Sequence, residues 1–184
     1  MKLARLPVTA LLLGTMTFGH AAPRSVAFYV QPIAPNEHKI LMKTTVQSPR
    51  GPLWNALTDF DHHARILPYM TKSQVLERHA TSYLVEQEGK IRILFWTFTM
   101  CVKQNIFENP PQEISFHAIE GDFQKLEGVW SLTPIDNHTT TLECQFVVQP
   151  KAKVPTWAVR MAAKHYLATM VKSLAREAES HAAR

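Results

Sequence analysis

The sequence is poor in the residues that build cross-linked or metal-stabilised domains. It has only two cysteines among 184 residues, which excludes a disulfide-rich scaffold and a four-cysteine zinc site. Charged residues make up 19% and apolar residues 46%, a balance typical of a folded globular domain rather than a disordered chain. A chain of this length buries enough surface to fold as one domain without disulfides or metal.

Long apolar runs are absent beyond the first residues. Residues 6–18 are uncharged, follow Lys2 and Arg5, and lead to small residues around Ala21. This pattern predicts a secretory signal peptide, residues 1–21, cleaved after Ala21. The alternative is an uncleaved anchor, but the run is shorter than the ~20 residues that span a bilayer. We therefore expect a soluble mature protein that is periplasmic or secreted.

Clustered positive charge is missing as well. Removal of residues 1–21 lowers the net charge from +5 to +3, and no cluster of five or more Lys and Arg residues occurs. This excludes an electrostatic footprint for nucleic acid. A weak attraction to anionic lipid head groups, and hence a transient membrane contact, stays open. No motif indicates a cofactor.

What the sequence does have is a series of short alternating segments typical of an antiparallel sheet. Residues 22–37 read as an extended lead-in, within which 25–30 could be a short edge strand. Strands are predicted at 38–48, 72–80, 82–89, 91–107, 113–122, 125–133 and 140–150. Turn-forming residues separate them, as at Glu88-Gly89-Lys90, and such short connections favour antiparallel neighbours.

Two segments that begin with proline predict helices. Residues 52–60 carry apolar side chains at helical spacing, and 61–70 form a second short helical or irregular piece that Pro68 stops. From Pro155 to about Ser180, apolar residues recur on one face of a long helix. At ~1.5 Å per residue this helix is about 40 Å long, enough to cross a whole sheet.

The order of these elements predicts an α+β fold. Two short helices follow the first strand, and one long C-terminal helix covers one face of a curved antiparallel sheet of seven strands. A curled sheet closed by one helix can leave an apolar cavity between the two layers. The alternative is a solid core, and the periodicity alone leaves both open. The domain would span 38–180, with a short tail at 181–184.

Two local patterns resemble one known family. Residues 54–61, running into Ile66-Leu67-Pro68-Tyr69, resemble the first helix pair of the START-type (SRPBCC, helix-grip) superfamily, specifically its polyketide cyclase/dehydrase and coenzyme Q-binding group. Residues 121–134 resemble that group's hairpin, with the pattern G-x-F-x-x-L-x-G-x-W-x-x-x-P. The resemblance covers about 38–180 and implies a cavity for a hydrophobic ligand between the sheet and the last helix, without implying a catalytic set.

The residues that would line such a cavity fall on inward faces of the predicted elements. The apolar candidates are Tyr69, Phe116, Trp130, Phe146, Val159, Ala163, Tyr166, Leu167 and Met170. Candidates for a few polar groups that orient the ligand are Tyr83, Gln87, Arg92 and Thr97. The competing interpretation is that each aromatic residue simply fills the core.

The histidines do not predict a metal site or a catalytic set. His62 and His63 are adjacent and would not face each other on a helix, so we expect both to be solvated at the cavity mouth. Asp59 could pair with His63 only if the first helix continued. His117 and Glu120 are predicted on opposite faces of a strand. His165 is predicted on the exposed side of the last helix.

The two cysteines stand in an oxidising compartment if the protein is exported, so a disulfide must be considered. The resemblance puts the strands of Cys101 and Cys144 three places apart in the sheet. At ~4.8 Å per strand the separation is about 14 Å, beyond the reach of a disulfide. The alternation predicts that Cys144 is a small buried apolar residue.

Three classes of function stay open from the sequence. The favoured one is an exported carrier or sensor of a hydrophobic small molecule, such as a lipid, a quinone or a polyketide-like ring. A second is a cyclase or dehydratase acting on a polyketide-like substrate in the same cavity, which needs a buried His or carboxylate. A third is a protein-interaction module at a sheet edge.

Overall fold

The computed structural model describes residues 24–93 and 95–182. The predicted signal peptide and its cleavage site lie outside these residues. Within them, no helix is both long enough and apolar enough to cross a lipid bilayer.

Within these described residues, eight strands and three α-helices follow one another in chain order. The strands are β1 (Arg24–Ala34), β2 (Glu37–Val46), β3 (Met70–Arg78), β4 (Ser82–Ile93), β5 (Trp96–Asn109), β6 (Glu113–Gly121), β7 (Phe123–Pro134) and β8 (Thr140–Pro150). The helices are α1 (Arg50–Thr58), α2 (His63–Ile66) and α3 (Thr156–Ala182), with a 3₁₀ turn at Phe60–His62.

All strands form one antiparallel sheet in the order β1-β2-β8-β7-β6-β5-β4-β3. This confirms the α+β helix-grip architecture, with one correction to the strand count. The sheet has eight strands rather than seven, because the lead-in pairs along β2 for most of its length. Asn36, with φ of 59°, makes the tight turn between the two strands.

The predicted turn at Glu88-Gly89-Lys90 is wrong. β4 and β5 pair without interruption from Ser82 opposite Phe107 to Ile93 opposite Trp96, so the hairpin turns after Ile93. Gly89 serves a close approach instead, since a Cβ there would lie 3.2 Å from the carbonyl oxygen of Tyr69. The backbone N–H of Lys90 donates to that same oxygen at 2.8 Å.

Helix α3 bridges the concave face of the sheet. It packs along α1, and it reaches β1 and β2 at one side of the sheet and β4 at the other. Leu174, Val171 and Ala178 are fully buried in its second half. The central strands β5, β6 and β7 are not among the strands on which α3 packs closely. The helix therefore lies across the concave face, and its closest backbone approaches to the sheet are at β1, β2 and β4.

Candidate functional site

A row of aromatic residues crosses the concave face beneath the span of α3. Phe116 pairs with Gly128, which pairs with Phe146, and the two phenyl rings lie 6.4 Å apart, centroid to centroid. A Cβ on Gly128 would lie 2.3 Å from the Cβ of Phe146, so only glycine lets the strands coil this tightly. The row continues to buried Ile40 and Ile106 at its ends.

The middle of this face is more open than its ends. Phe116 and Phe146 are only half-buried, whereas Ile40 and Ile106 expose 2% and 3% of their surface. Trp130 repeats the pattern, since its cross-strand partners Ile114 and Cys144 are buried and the indole itself is half-buried. Inward-facing aromatic surface is therefore left partly uncovered between the sheet and α3.

The predicted apolar residues of α3 face the sheet. Four of them are buried: Val159, Ala163, Leu167 and Met170. Tyr166 is half-buried, and loss of hydration on burial raises the pKa of its phenol to about 12. All five belong to the same apolar cluster as Phe116, Trp130 and Phe146. The structure thus brings most of the predicted lining together, which is compatible with a lined cavity and with a packed core.

A concavity of about 200 Å³ opens where α3 passes β4. Its lining includes Tyr69, Ile91, Arg92, Met161 and His165. The hydroxyl of Tyr69 lies 2.5 Å from Nε2 of His165, and its ring lies 5.7 Å from that of Tyr166. His165 is on the exposed side of α3, as predicted, but its hydrogen bond to Tyr69 closes one rim of this concavity.

A second concavity of about 360 Å³ lies on the other face of the sheet. Its lining includes Leu41, Lys43 and Gln145, which alternate with the buried residues of β2 and β8. An ion pair between Lys43 and Glu143 lies along it. It is separated from the aromatic row by the sheet itself. We assign the candidate site to the concave face under α3, because the half-buried aromatic residues and the apolar side of α3 lie there.

A polar network is buried beside the aromatic row. The Nε2 of Gln104 donates to Oε1 of Gln87 at 2.9 Å, and Nε2 of Gln87 donates to Oγ of Ser73 at 3.1 Å. The same nitrogen lies 3.4 Å from Nδ1 of His63. Gln87 was predicted as a polar group of the cavity, whereas Gln104 and Ser73 were missed. The available signal was a glutamine at an inward position of β5, between Val102 and Ile106.

His63 is buried, so the prediction that both histidines are solvated at the cavity mouth is wrong for this residue. It exposes 5% of its surface, and burial lowers its pKa to about 4, against weaker opposing effects of the Ala56 and Leu57 carbonyls and of Asp59. The cause is the end of α1 at Asp59, which turns the next segment inward. Asp59 pairs instead with exposed His62, at 2.7 Å.

Tyr83, another predicted polar group, lies on the inward face of β4 and contacts a half-buried acid. Its hydroxyl donates to Oε2 of Glu108 over 3.5 Å, and the guanidinium of Arg78 lies 5.1 Å from the centre of its ring. Burial raises the pKa of Glu108, and Oε1 of this carboxyl is buried without a hydrogen-bond partner. Glu108 was missed because the predicted strand 91–107 ended one residue before it, so the alternation did not assign Glu108 to a face of the sheet.

Arg92 and Thr97 are exposed and pair across the hairpin next to its turn. Arg92 borders the concavity at α3, but Thr97 is wrongly predicted as a cavity group. The error follows from placing the turn at Gly89 instead of after Ile93.

His117 and Glu120 do not lie on opposite faces, contrary to the prediction. They pair with Asn105 and Lys103, which are two residues apart on β5, and a bulge at Ile119 supplies the extra residue. Both therefore share the outer face. Among the residues that the structure describes, no three His, Cys, Asp or Glu side chains are grouped to hold a metal ion.

Cys101 and Cys144 are both free thiols. They lie on β5 and β8, which are separated by β6 and β7. Cys144 is buried, as predicted, and burial raises the pKa of its thiol well above the ordinary value.

Comparison with solved structures places the fold among START-type proteins. The aromatase/cyclase Zhui from Streptomyces sp. R1128 superposes with a TM-score of 0.68 at 17% identity, covering 79% of this chain and 96% of that one. A STAR-related lipid transfer protein from Xanthomonas axonopodis gives 0.69 at 12% identity, over 84% and 93%. Human STARD10 gives 0.67 at 11% identity, over 90% and 73%.

Comparison with a family model agrees with this structural likeness, whereas comparison with individual curated sequences adds nothing to it. No curated protein sequence matches the chain significantly. The family model described as polyketide cyclase/dehydrase and lipid transport matches residues 46–175, more than half of the chain. The chain therefore belongs to the polyketide cyclase/dehydrase and lipid transport family.

Proposed function

We propose that this protein binds and carries a hydrophobic small molecule between the sheet and α3. The observation that carries the proposal is the half-buried aromatic row of Phe116, Phe146 and Trp130, whose neighbours in the same sheet are buried. Apolar side chains that face inward and yet stay partly uncovered are available to an apolar ligand. Burying such a ligand contributes about 0.8 kcal/mol for each CH₂ removed from water.

The structures with similar folds support a ligand of this class. One is named a lipid transfer protein and another an aromatase/cyclase, and both names imply hydrophobic or aromatic molecules. A lipid, a quinone or a polyketide-like ring would suit the aromatic row of this chain. The concavity of about 200 Å³ at Tyr69 and Arg92 is smaller than the ~300–1,000 Å³ typical of ligand pockets. The segment 61–70 and α3 would therefore act as a gate that opens for the ligand.

An exported carrier would deliver its hydrophobic ligand by contacting a membrane. Phe95 and Phe98 expose 90% and 49% of their surface at the β4–β5 hairpin. Trp157 and Met161 are exposed on α3. Strand β4 and helix α3 both border the concavity of about 200 Å³. Arg92 of the hairpin is exposed, as are Arg160 and Lys164 on α3. Apolar side chains flanked by cations fit the surface of an anionic bilayer.

A second candidate is an enzyme of the cyclase or dehydratase type. Its specific support is His63, which is buried and held neutral beside Gln87, as a general base would need to be at neutral pH. Its ring is flanked by Phe60 at 5.3 Å. We rank this second because His63 has no acid or nucleophile hydrogen-bonded to it in the described chain.

The test is native mass spectrometry of the protein purified gently from the cells that make it, followed by solvent extraction. We expect one apolar molecule per chain, and uptake of quinones, lipids or hydrophobic dyes by emptied protein. Phe116→Trp should reduce that uptake by filling the space, whereas Phe107→Trp, on the outer face, should not. Protein that is empty and takes up none of these molecules would overturn the proposal.

A further inference from the structure

The polar network under α3 contains no charged group. Its members are Gln104, Gln87, Ser73 and His63, and burial holds His63 in the neutral form at ordinary pH. Of the three lysines on these strands, Lys72 and Lys103 lie on the outer face, where they pair with Glu86 and Glu120 at 2.6 and 2.8 Å. The third, Lys90, is exposed. The concave face therefore offers hydrogen bonds here without a counter-ion.

Gln104 stands at the end of this network and next to the aromatic row. Its cross-strand partners are Val85 and Ala118, and Ala118 is two residues along β6 from Phe116. Gln104 exposes 8% of its surface. Within the described chain, one amide N–H is its sole side-chain hydrogen bond. A carboxamide has a second N–H and a carbonyl oxygen to offer.

Gln87 fixes the orientation of the Gln104 amide. Oε1 of Gln87 accepts from Gln104, while the amide nitrogen of Gln87 is directed at Ser73 and His63. Exchanging the ends of the Gln104 amide alone would set acceptor against acceptor, and exchanging those of Gln87 alone would set donor against donor. The Gln104 side chain is thus held in place before any ligand arrives, and its unused N–H and carbonyl groups stay available to a group in the cavity.

We propose that Gln104 is the polar anchor of the cavity and that the ligand is an apolar molecule carrying a neutral oxygen, either a hydroxyl or a carbonyl, rather than a carboxylate. This inference rests on the proposed carrier function. A hydroxyl donates to the Gln104 carbonyl oxygen, and a carbonyl accepts its free N–H. Among the described residues, no Lys or Arg is hydrogen-bonded to this network. A carboxylate buried at this position would lose its hydration without gaining an ion pair.

The competing arrangement places the ligand's polar end outward. Arg92 borders the concavity at α3, and a fatty acid bound with its carboxylate at that arginine would use the same apolar wall. The two arrangements differ in the charge they prefer and in the residue on which binding depends, so one set of probes separates them.

The experiment measures displacement of a hydrophobic naphthylamine dye by dodecanol, dodecanone and dodecanoate at neutral pH. We expect dodecanol and dodecanone to bind at least about tenfold more tightly than dodecanoate. Gln104→Met, which keeps the length of the side chain, should weaken the alcohol and the ketone about fivefold and leave dodecanoate unchanged. Gln145→Met, on the exposed face of β8, is the matched control and should change nothing.

Tighter binding of dodecanoate that depends on Arg92, or unchanged alcohol affinity in Gln104→Met, would overturn the inference while leaving the carrier function intact. Failure of wild-type protein to take up the dye and all three probes would overturn the carrier function instead. If Gln104→Met does not fold, the infrared C=O stretch of dodecanone bound to wild-type protein decides. A hydrogen-bonded frequency supports the anchor, and the frequency seen in hydrocarbon solvent contradicts it.

Discussion

The hydroxyl of Tyr69 and Nε2 of His165 lie 2.5 Å apart. Their rings are 5.5 Å apart, centroid to centroid. This contact joins the segment before β3 to the middle of α3, two elements that border the same concavity. In the proposed carrier, these two elements would have to part for a ligand to enter.

Loss of this hydrogen bond should speed ligand exchange. Tyr69→Phe keeps the ring and removes the hydroxyl, so an opening that breaks the contact becomes easier by about 1 kcal/mol. We expect bound dye to leave about fivefold faster in a stopped-flow release assay. Tyr29→Phe, an exposed tyrosine on the outer face of the sheet, is the control. Equal release rates for all three proteins would show that the contact does not limit opening.

His63 should make the protein sensitive to mild acid. Its pKa falls from 6.5 to about 4 on folding, so the unfolded chain binds the proton more readily. The free energy of unfolding, as far as His63 sets it, therefore keeps its full value above pH 6.5. As the pH falls from 6.5 toward 4, it decreases by about 3 kcal/mol.

Denaturant unfolding between pH 7 and pH 4 measures this effect. We expect His63→Phe to lose less stability than wild type over that interval, whereas His62→Gln, at the exposed neighbour, should follow the wild-type curve. A His63→Phe curve that runs parallel to wild type would refute the assignment.

Glu108 should destabilise the folded protein at neutral pH. Burial raises its pKa, so the folded state holds the proton more tightly than the unfolded state. Stability therefore falls as the pH rises from the ordinary glutamate range through the raised value, and stays lower above it. We expect Glu108→Gln to have a higher Tm than wild type at pH 7 and a similar Tm at about pH 4. A lower Tm at pH 7 would contradict this account.

Gly128 should tolerate no side chain. An alanine Cβ would lie 2.3 Å from the Cβ of Phe146 and 2.5 Å from the carbonyl oxygen of Gln145, so the strands would have to separate. We expect Gly128→Ala to cost about 2–3 kcal/mol of unfolding free energy. Gly51→Ala is the control, because nothing lies within 4 Å of its position in α1 and alanine favours a helix by up to about 1 kcal/mol. Equal effects of the two changes would contradict the close approach.

Phe95 should contribute to membrane binding. It exposes 90% of its surface at the hairpin turn, and serine there removes the apolar group without touching the core. Phe95→Ser should sediment several-fold less with vesicles of mixed anionic and neutral lipid, at low salt. Phe107→Ser, at a half-exposed phenylalanine of the outer face, should sediment like wild type. If neither the wild type nor the two variants sediments, the membrane contact is refuted.

The fold could be predicted because its signals are local. Pro52 lies in the first turn of α1, Pro155 directly precedes α3, and alternation along β7 and β8 separates the two faces of the sheet. The hairpin pattern also contains glycines that the structure requires. Gly121 has φ of 121° at the turn between β6 and β7, and Gly128 lies where the strands approach most closely. Such positions restrict the residue type, so a sequence pattern can record them.

The polar part of the site could not be predicted, because it depends on pairings between distant segments. Gly89 indicates a turn by itself, and only the carbonyl of Tyr69 beside it explains the glycine. His63 turns inward because α1 ends at Asp59, and no periodicity reports that break. A glutamine at an inward position suggests that the two faces of the strand have been assigned the wrong way round. Only the hydrogen bond between Gln104 and Gln87 explains it.

The pairing of β2 with β8 sets the order in which the chain can close. Every other neighbouring pair in the sheet is consecutive in sequence, but Ile40 meets Phe146 across more than half of the chain. Forming that one seam costs the most loop-closure entropy, and long-range pairing of this kind slows folding. During synthesis, the hairpin of β1 and β2 is made before the other strands of this sheet, so β2 lacks its second partner until β8 has been made. A chaperone that shields this early hairpin would therefore raise the yield more than one that acts on the finished sheet.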